Sequence, residues 1–117
     1  MQTVLLTPTF LRHANAAGLT EDELQEIAVV IAGDPLRGNL ISGTGGARKL
    51  RHAGYGKGKS GGFRTIYYFG GDDVPIFLLA VYGKSRKADL TKAERNELAR
   101  LSPQLADAYR HGTRSRP

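Results

Sequence analysis

Three cations flank a glycine turn in the middle of the sequence: Lys57 and Lys59 before Ser60-Gly61-Gly62, and Arg64 just after it. Along an extended segment Lys57 and Lys59 point to the same side, and a hairpin-type connection at 60–62 lets Arg64 approach them. Two ammonium groups and a guanidinium converging on one patch make a phosphate site. Arginine supplies planar, bidentate contacts and lysine a mobile point charge. Mutual repulsion between the ammonium groups also makes a neutral amine more accessible as a base.

The surrounding stretch, from Gly43 to Arg64, holds six fixed positive charges: Arg48, Lys49, Arg51, Lys57, Lys59 and Arg64. No Asp or Glu occurs between Asn39 and Gly71. Strand parity sorts the first residues of this stretch. Arg48, Leu50 and His52 share one side, whereas Lys49, Arg51, Tyr55, Lys57 and Lys59 share the other. His52 therefore suits a packing or surface role better than a catalytic one. Lys84, Arg86 and Lys87 leave the last apolar strand and add charge if that strand lies beside the one carrying Arg64.

Other chemistries find less support. Gly58-Lys59-Ser60 and Gly83-Lys84-Ser85 end like a nucleotide phosphate loop, but Ala53 and Leu78 stand where that loop needs its first glycine, and no strand-loop-helix context surrounds either. His13, His52 and His111 are scattered without metal-ligand spacing, so neither a metal nor another cofactor is expected. With no cysteine, disulfides, zinc-thiolate sites and a thiol nucleophile are excluded.

The elements that must position the cations follow from periodicity. Thr3 to Thr7, closed by Pro8, reads as an edge strand. Phe10 to Ala17 suits a short helix ending at Gly18. Thr20-Glu21-Asp22-Glu23 has capping-box spacing and opens a helix whose stripe is Leu24, Ile27 and Ile31; Gly33 and Asp34-Pro35 stop it. Arg48 to Lys59 and Phe63 to Phe69 read as strands around the 60–62 turn, and Gly70-Gly71-Asp72-Asp73 is a second turn. Pro75 to Tyr82 is an apolar run fit for a central strand. Thr91-Lys92-Ala93-Glu94 is a second capping box before a helix with Leu98, Leu101, Leu105 and Tyr109 on one face, which Pro103 is expected to kink or break. The order predicts one α+β domain over 1–117, with a basic, frayed tail over 110–117.

At 117 residues the chain suits one domain with a modest core, and 40% hydrophobic residues suit a folded one. A net charge of +6 points to nucleic acid, an acidic protein or an anionic surface. The longest apolar run is too short to cross a bilayer, and no secretory signal is visible. A cytoplasmic protein without membrane contact is the expectation. Residue statistics alone stop at a basic α+β domain that binds nucleic acid or an acidic partner, and a solvated basic loop is the simpler account of such a charge run.

Several blocks together resemble a known family: Gly43-Thr44-Gly45-Gly46-Ala47-Arg48-Lys49-Leu50-Arg51, then Gly56-Lys57-Gly58-Lys59-Ser60-Gly61-Gly62-Phe63-Arg64-Thr65-Ile66-Tyr67-Tyr68, then Tyr82-Gly83-Lys84 and Asp89-Leu90-Thr91. Over about Asn39 to Leu101 the chain resembles the HigB-like branch of the RelE/ParE toxin superfamily. The resemblance implies N-terminal helices packed on a small antiparallel sheet of about four strands, with a C-terminal helix. It implies a toxin of a toxin-antitoxin pair that cuts mRNA on the ribosome by attack of the 2′-hydroxyl on the adjacent phosphate, without a metal. Its partners would be the ribosome, mRNA and a cognate antitoxin, a small helix-turn-helix protein encoded nearby.

Carried over by position, Lys57 and Lys59 are candidates for general base and charge stabiliser, and Arg64 for holding the scissile phosphate. Lys84 would support the phosphate or act near the leaving group. Arg48, Lys49, Arg51, Arg86 and Lys87 would grip RNA or the ribosome. The chain departs from relatives that place a tyrosine after the last strand, since Leu90-Thr91 stands there. Tyr55 and Phe63 are candidates for stacking on a base, yet each suits packing in the sheet equally well, and the general acid is unassigned. Two alternatives remain open: a ParE-like toxin that inhibits DNA gyrase without cutting RNA, and a non-catalytic RNA-binding module.

Overall fold

Threonine caps start the helices: at Thr20 and Thr91 as the capping-box spacing predicts, and also at Thr7, which the sequence pattern places in the edge strand. The computed structural model describes residues 2–52, 62–83 and 90–114, with only the backbone of 113–114. Strand β1 (Val4–Leu6) runs into helix α1 (Pro8–Ala16), where the Phe10 N–H donates to Thr7 Oγ1 and Pro8 takes the first turn, needing no N–H. Thr7 Oγ1 also donates to the Leu78 carbonyl at 2.8 Å, which fixes the start of α1 to the sheet. Helix α2 (Glu21–Gly33) opens with both bonds of the capping box: Glu23 N–H to Thr20 Oγ1, and Thr20 N–H to Glu23 Oε1. Strands β2 (Asn39–Leu40), β3 (Ala47–His52), β4 (Phe63–Tyr68) and β5 (Ile76–Gly83) follow, and helix α3 (Lys92–Arg114) closes the chain behind its own capping box at Thr91 and Glu94.

The architecture is α+β, as expected, and the sheet is somewhat larger. It has five strands in the order β1-β5-β4-β3-β2, antiparallel except at β1, which pairs parallel with β5 over Val4↔Ile76 to Leu6↔Leu78. Direction of pairing depends on how the intervening chain returns, which local pattern does not encode. A two-residue β2 is too short to show alternation.

Both faces of the sheet are covered. On one, Leu50, Phe63, Tyr67, Leu78 and Val81 pack with Phe10 and Ala14 of α1 and Ile27 and Ile31 of α2. On the other, Ala47, Ile66, Phe77, Leu79 and Leu90 form a second core with Leu98 and Leu105 of α3. The β4–β5 ladder pairs Ile66 with Ala80 but Tyr67 with Leu78, which leaves Leu79 as an extra residue in β5. Leu79 and Ala80 consequently both meet the second core, and beyond the bulge Val81 joins the first core while Tyr82 packs against the second.

Two devices pin the connection between α2 and β3. The buried Tyr67 hydroxyl donates to the Pro35 carbonyl at 2.8 Å and accepts from the buried Gly38 N–H at 2.9 Å. Gly38 has no room for a side chain, since a Cβ there would sit 2.8 Å from that hydroxyl. Between β2 and β3, Thr44 is fully buried; its hydroxyl donates to the Ile41 carbonyl and accepts from the Ala47 N–H. Gly43, Gly45 and Gly46 around it all have positive φ, and a Cβ at Gly45 would come 3.3 Å from Ala99 Cα in α3. These glycines make a tight turn beneath α3.

Helix α3 continues through Pro103 without breaking. Its far end is held: Arg110 donates from Nε to Asp73 Oδ2 at 2.6 Å and from an Nη to the Gly70 carbonyl at 3.2 Å. The helix reaches Arg114, so the expected frayed tail gives way at 110–114 to helix, because Arg110 anchors it to the β4–β5 turn.

Tyr67→Phe removes the acceptor of a buried N–H and should cost about 1–3 kcal/mol in denaturant unfolding. Burial holds the Tyr67 phenol above its ordinary value, against the opposing bond from Gly38. A raised folded-state value means a stabilisation complete below the unfolded phenol's pKa of about 10 and lost as pH rises through the folded one. The gap between the native protein and Tyr67→Phe should therefore narrow above pH about 10; a gap independent of pH there would contradict a buried neutral phenol.

Candidate phosphate-binding site

The alternation that builds the two cores also sorts the cations. Because Phe63 and Tyr67 face α1 and α2 while Ile66 and Tyr68 face α3, Arg64 lies on the α3 side of β4. Directly opposite it are Arg51 on β3 and Tyr82 on β5. Lys49, two residues before Arg51, shares that face and pairs with Ile66. A row Arg51–Arg64–Tyr82 thus crosses three strands, with Lys49 beside it.

Arg64 is only 8% exposed, and its Nε has no hydrogen-bond partner. Among the described residues no carboxylate pairs with it. A buried charge of this kind costs several kcal/mol unless paired, and like charges directly opposite across a ladder add to that cost. An anion drawn to this face offsets both. Arg51 is exposed and extends the positive field to solvent.

The other expected residues divide cleanly. Arg48 lies on the opposite face and donates to the carbonyls of Gly38, at 2.8 Å, and Leu36, at 3.3 Å. It serves as a latch on the α2–β3 connection, together with Tyr67, and is not gathered with Arg64. His52 is on that same far face: its Nε2 lies 2.9 Å from Thr65 Oγ1, and its ring stacks on Phe63 with centroids 5.9 Å apart. Phe63 is buried in the first core. Of its two expected roles the structure takes packing, because β4 parity turns it away from Arg64.

Lys57, Lys59, Tyr55, Lys84, Arg86 and Lys87 lie outside the described residues. The strands that lead to them end together: His52 of β3 and Gly83 of β5 both pair with Phe63. Among the described residues, no group of three or more His, Asp or Glu side chains is placed to hold a metal ion. Tyr82 was not singled out by pattern. At the end of an apolar run it reads as strand filling, and only the register across β4 and the bulge in β5 bring it beside Arg64.

Fold and site together define a small α+β protein whose sheet carries a row of cations on its α3 side. A family model described as the RelE toxin of the RelE/RelB toxin-antitoxin system matches residues 2–113. The chain belongs to this RelE toxin family, and a cognate antitoxin is its implied partner. Among solved structures, a mutant of the E. coli toxin RelE in the free state is similar, with a TM-score of 0.51 and 17% identity over 74% of this chain and 87% of that one. That likeness concerns the fold. No helix among the described residues is long and apolar enough to cross a membrane.

A buried guanidinium with no carboxylate partner among the described residues predicts an unusual stability result. Arg64→Met should leave the thermal midpoint unchanged or raise it by a few degrees, since an apolar side chain of similar length removes the desolvation cost. A drop of more than about 5 °C by calorimetry would mean instead that Arg64 holds the fold.

Proposed function

We propose that this toxin is a ribosome-dependent endoribonuclease that cuts mRNA and so halts translation. The observation that carries the reading is Arg64: buried, without a carboxylate partner among the described residues, and set opposite Arg51 on one face of the sheet. The 2′-hydroxyl oxygen attacks the adjacent phosphorus, and the bond from phosphorus to the 5′ oxygen breaks. The products are a 2′,3′-cyclic phosphate and a 5′-hydroxyl end. Lys57 and Lys59 serve as general base and charge stabiliser, and Arg64 binds the scissile phosphate through its planar fork as charge develops on the equatorial oxygens. Lys84, next to Gly83 at the end of β5, supports the phosphate or acts at the leaving oxygen. No metal is required, because the cations supply the charge that a metal would.

Lys49 and Arg51 extend the grip to neighbouring phosphates, with Arg86 and Lys87 adding contacts to RNA of the message or ribosome. The same positive face suits an acidic segment of the antitoxin, a small helix-turn-helix protein by this reading, which would neutralise the toxin by covering it.

Induced without its antitoxin, the native protein should arrest growth. Arg64→Ala, Lys57→Ala or Lys59→Ala should relieve that arrest and slow the cutting of ribosome-bound mRNA by about a hundredfold, as loss of one transition-state contact implies. Mapping 5′ ends on ribosome-bound mRNA should show cuts at fixed codon positions. Full toxicity in an Arg64→Ala, Lys59→Ala double variant would sink the site, and arrest with intact message would place the target elsewhere, as with a gyrase inhibitor.

A further inference from the structure

Charge is segregated along the chain. No lysine or arginine occurs between Arg12 and Arg37, and five of the 11 acids fall there: Glu21, Asp22, Glu23, Glu26 and Asp34. Helix α2 carries the first four. Its buried side, with Ile27 and Ile31, packs on the sheet face opposite the one that holds Arg51 and Arg64. Its outer side is uncovered: Asp22, Gln25 and Glu26 are exposed, and so are Val29 and Val30, at 48% and 40%. These five residues line a shallow hollow of about 450 Å³. Gly33 continues the stripe at helical spacing and borders a second hollow with Asp34, Asp72 and the exposed Leu36. Among the described residues no cation pairs with Asp22, Glu26 or Asp34.

We propose that the outer face of α2 docks a basic, partly apolar segment of a ribosomal protein, while the opposite side of the toxin holds RNA. Charge complementarity selects the occupant. Phosphate repels an acidic face, whereas a protein that itself lies on RNA carries the lysines and arginines that complement one. The valines add a second requirement. A helix face that only meets water is polar throughout, and an apolar strip rimmed by charge suits a protein contact. At about 1.5 Å per residue the 13 residues of α2 offer a track about 20 Å long, enough for several turns of a partner helix or a short extended segment.

The sign of the face also separates this partner from others. An acidic antitoxin segment that covers the cationic face is repelled by α2, and so is an anionic lipid surface. A second copy of this chain, presenting its own cations, is the competing occupant.

This inference rests on the nuclease reading above. The test uses the whole toxin and purified ribosomes carrying message, without antitoxin. Asp22→Lys combined with Glu26→Lys makes the toxin still more basic, so attraction to RNA alone would tighten its binding to ribosomes. Docking on a basic protein segment predicts the reverse: binding about tenfold weaker, as reversal of two interfacial charges implies, with the cutting rate at saturating toxin unchanged. Val29→Ser combined with Val30→Ser should weaken binding in the same direction at native net charge. A photoreactive benzoylphenylalanine in place of Gln25 should crosslink to a ribosomal protein. Equal or tighter binding by the folded charge-reversed variant, or a crosslink to ribosomal RNA or to a second toxin copy, overturns the docking face and leaves the nuclease reading intact. Should charge reversal unfold the protein, native affinity in the valine variant overturns the docking face by itself. Absence of cutting by the native protein on ribosomes overturns the nuclease reading and this inference with it.

Discussion

Strand β4 is buried from Phe63 to Tyr67, and this governs the arrangement around it. A strand with no solvent face needs cover on both sides. Helices α1 and α2 provide it on one side and α3 on the other. Their approach sets where the sheet can be apolar and where it must stop being so. Arg64 is the exception inside that strand, a guanidinium in the second position of a run that is otherwise apolar apart from Thr65. Stability alone does not explain a charge there, because burial penalises it and the residue opposite is a second arginine. Its place in the fold makes sense as a cost carried for binding.

The remaining arginines show how differently one residue type can be used. Arg48 and Arg110 spend their donors on the protein itself, the first on the carbonyls that lead from α2 to β2, the second on Asp73 and Gly70 at the β4–β5 turn. Both brace connections between elements. Lys49, Arg51 and Arg64 line one face of the sheet. Net charge therefore overstates the binding surface, since part of it is committed to architecture.

Glycine is divided in the same manner. The Gly43-Thr44-Gly45-Gly46 block has the composition of a loop that cradles an anion, yet its positive φ values and the buried Thr44 make it a turn packed against Ala99 of α3.

Much was decided by local sequence. Thr20 and Thr91 with their partner glutamates mark helix starts because a capping box is satisfied within four residues. Parity separates Arg48 and His52 from Lys49 and Arg51, because successive side chains alternate whatever the strand pairs with. Arg64 stood out as a charge in a strongly β-prone run. Tertiary structure alone decided the parallel pairing of β1 with β5, the use of Arg48 as a latch, and the company Arg64 keeps. Above all it decided the position of Tyr82. Were β5 to alternate without the bulge, Val81 would face α3 and Tyr82 the opposite side. The bulge arises from how β5 fits β4 between two cores, and no spacing within β5 announces it. Caps and alternation are short-range and repeat with the backbone, whereas register, bulges and cavities come from the packing of distant segments.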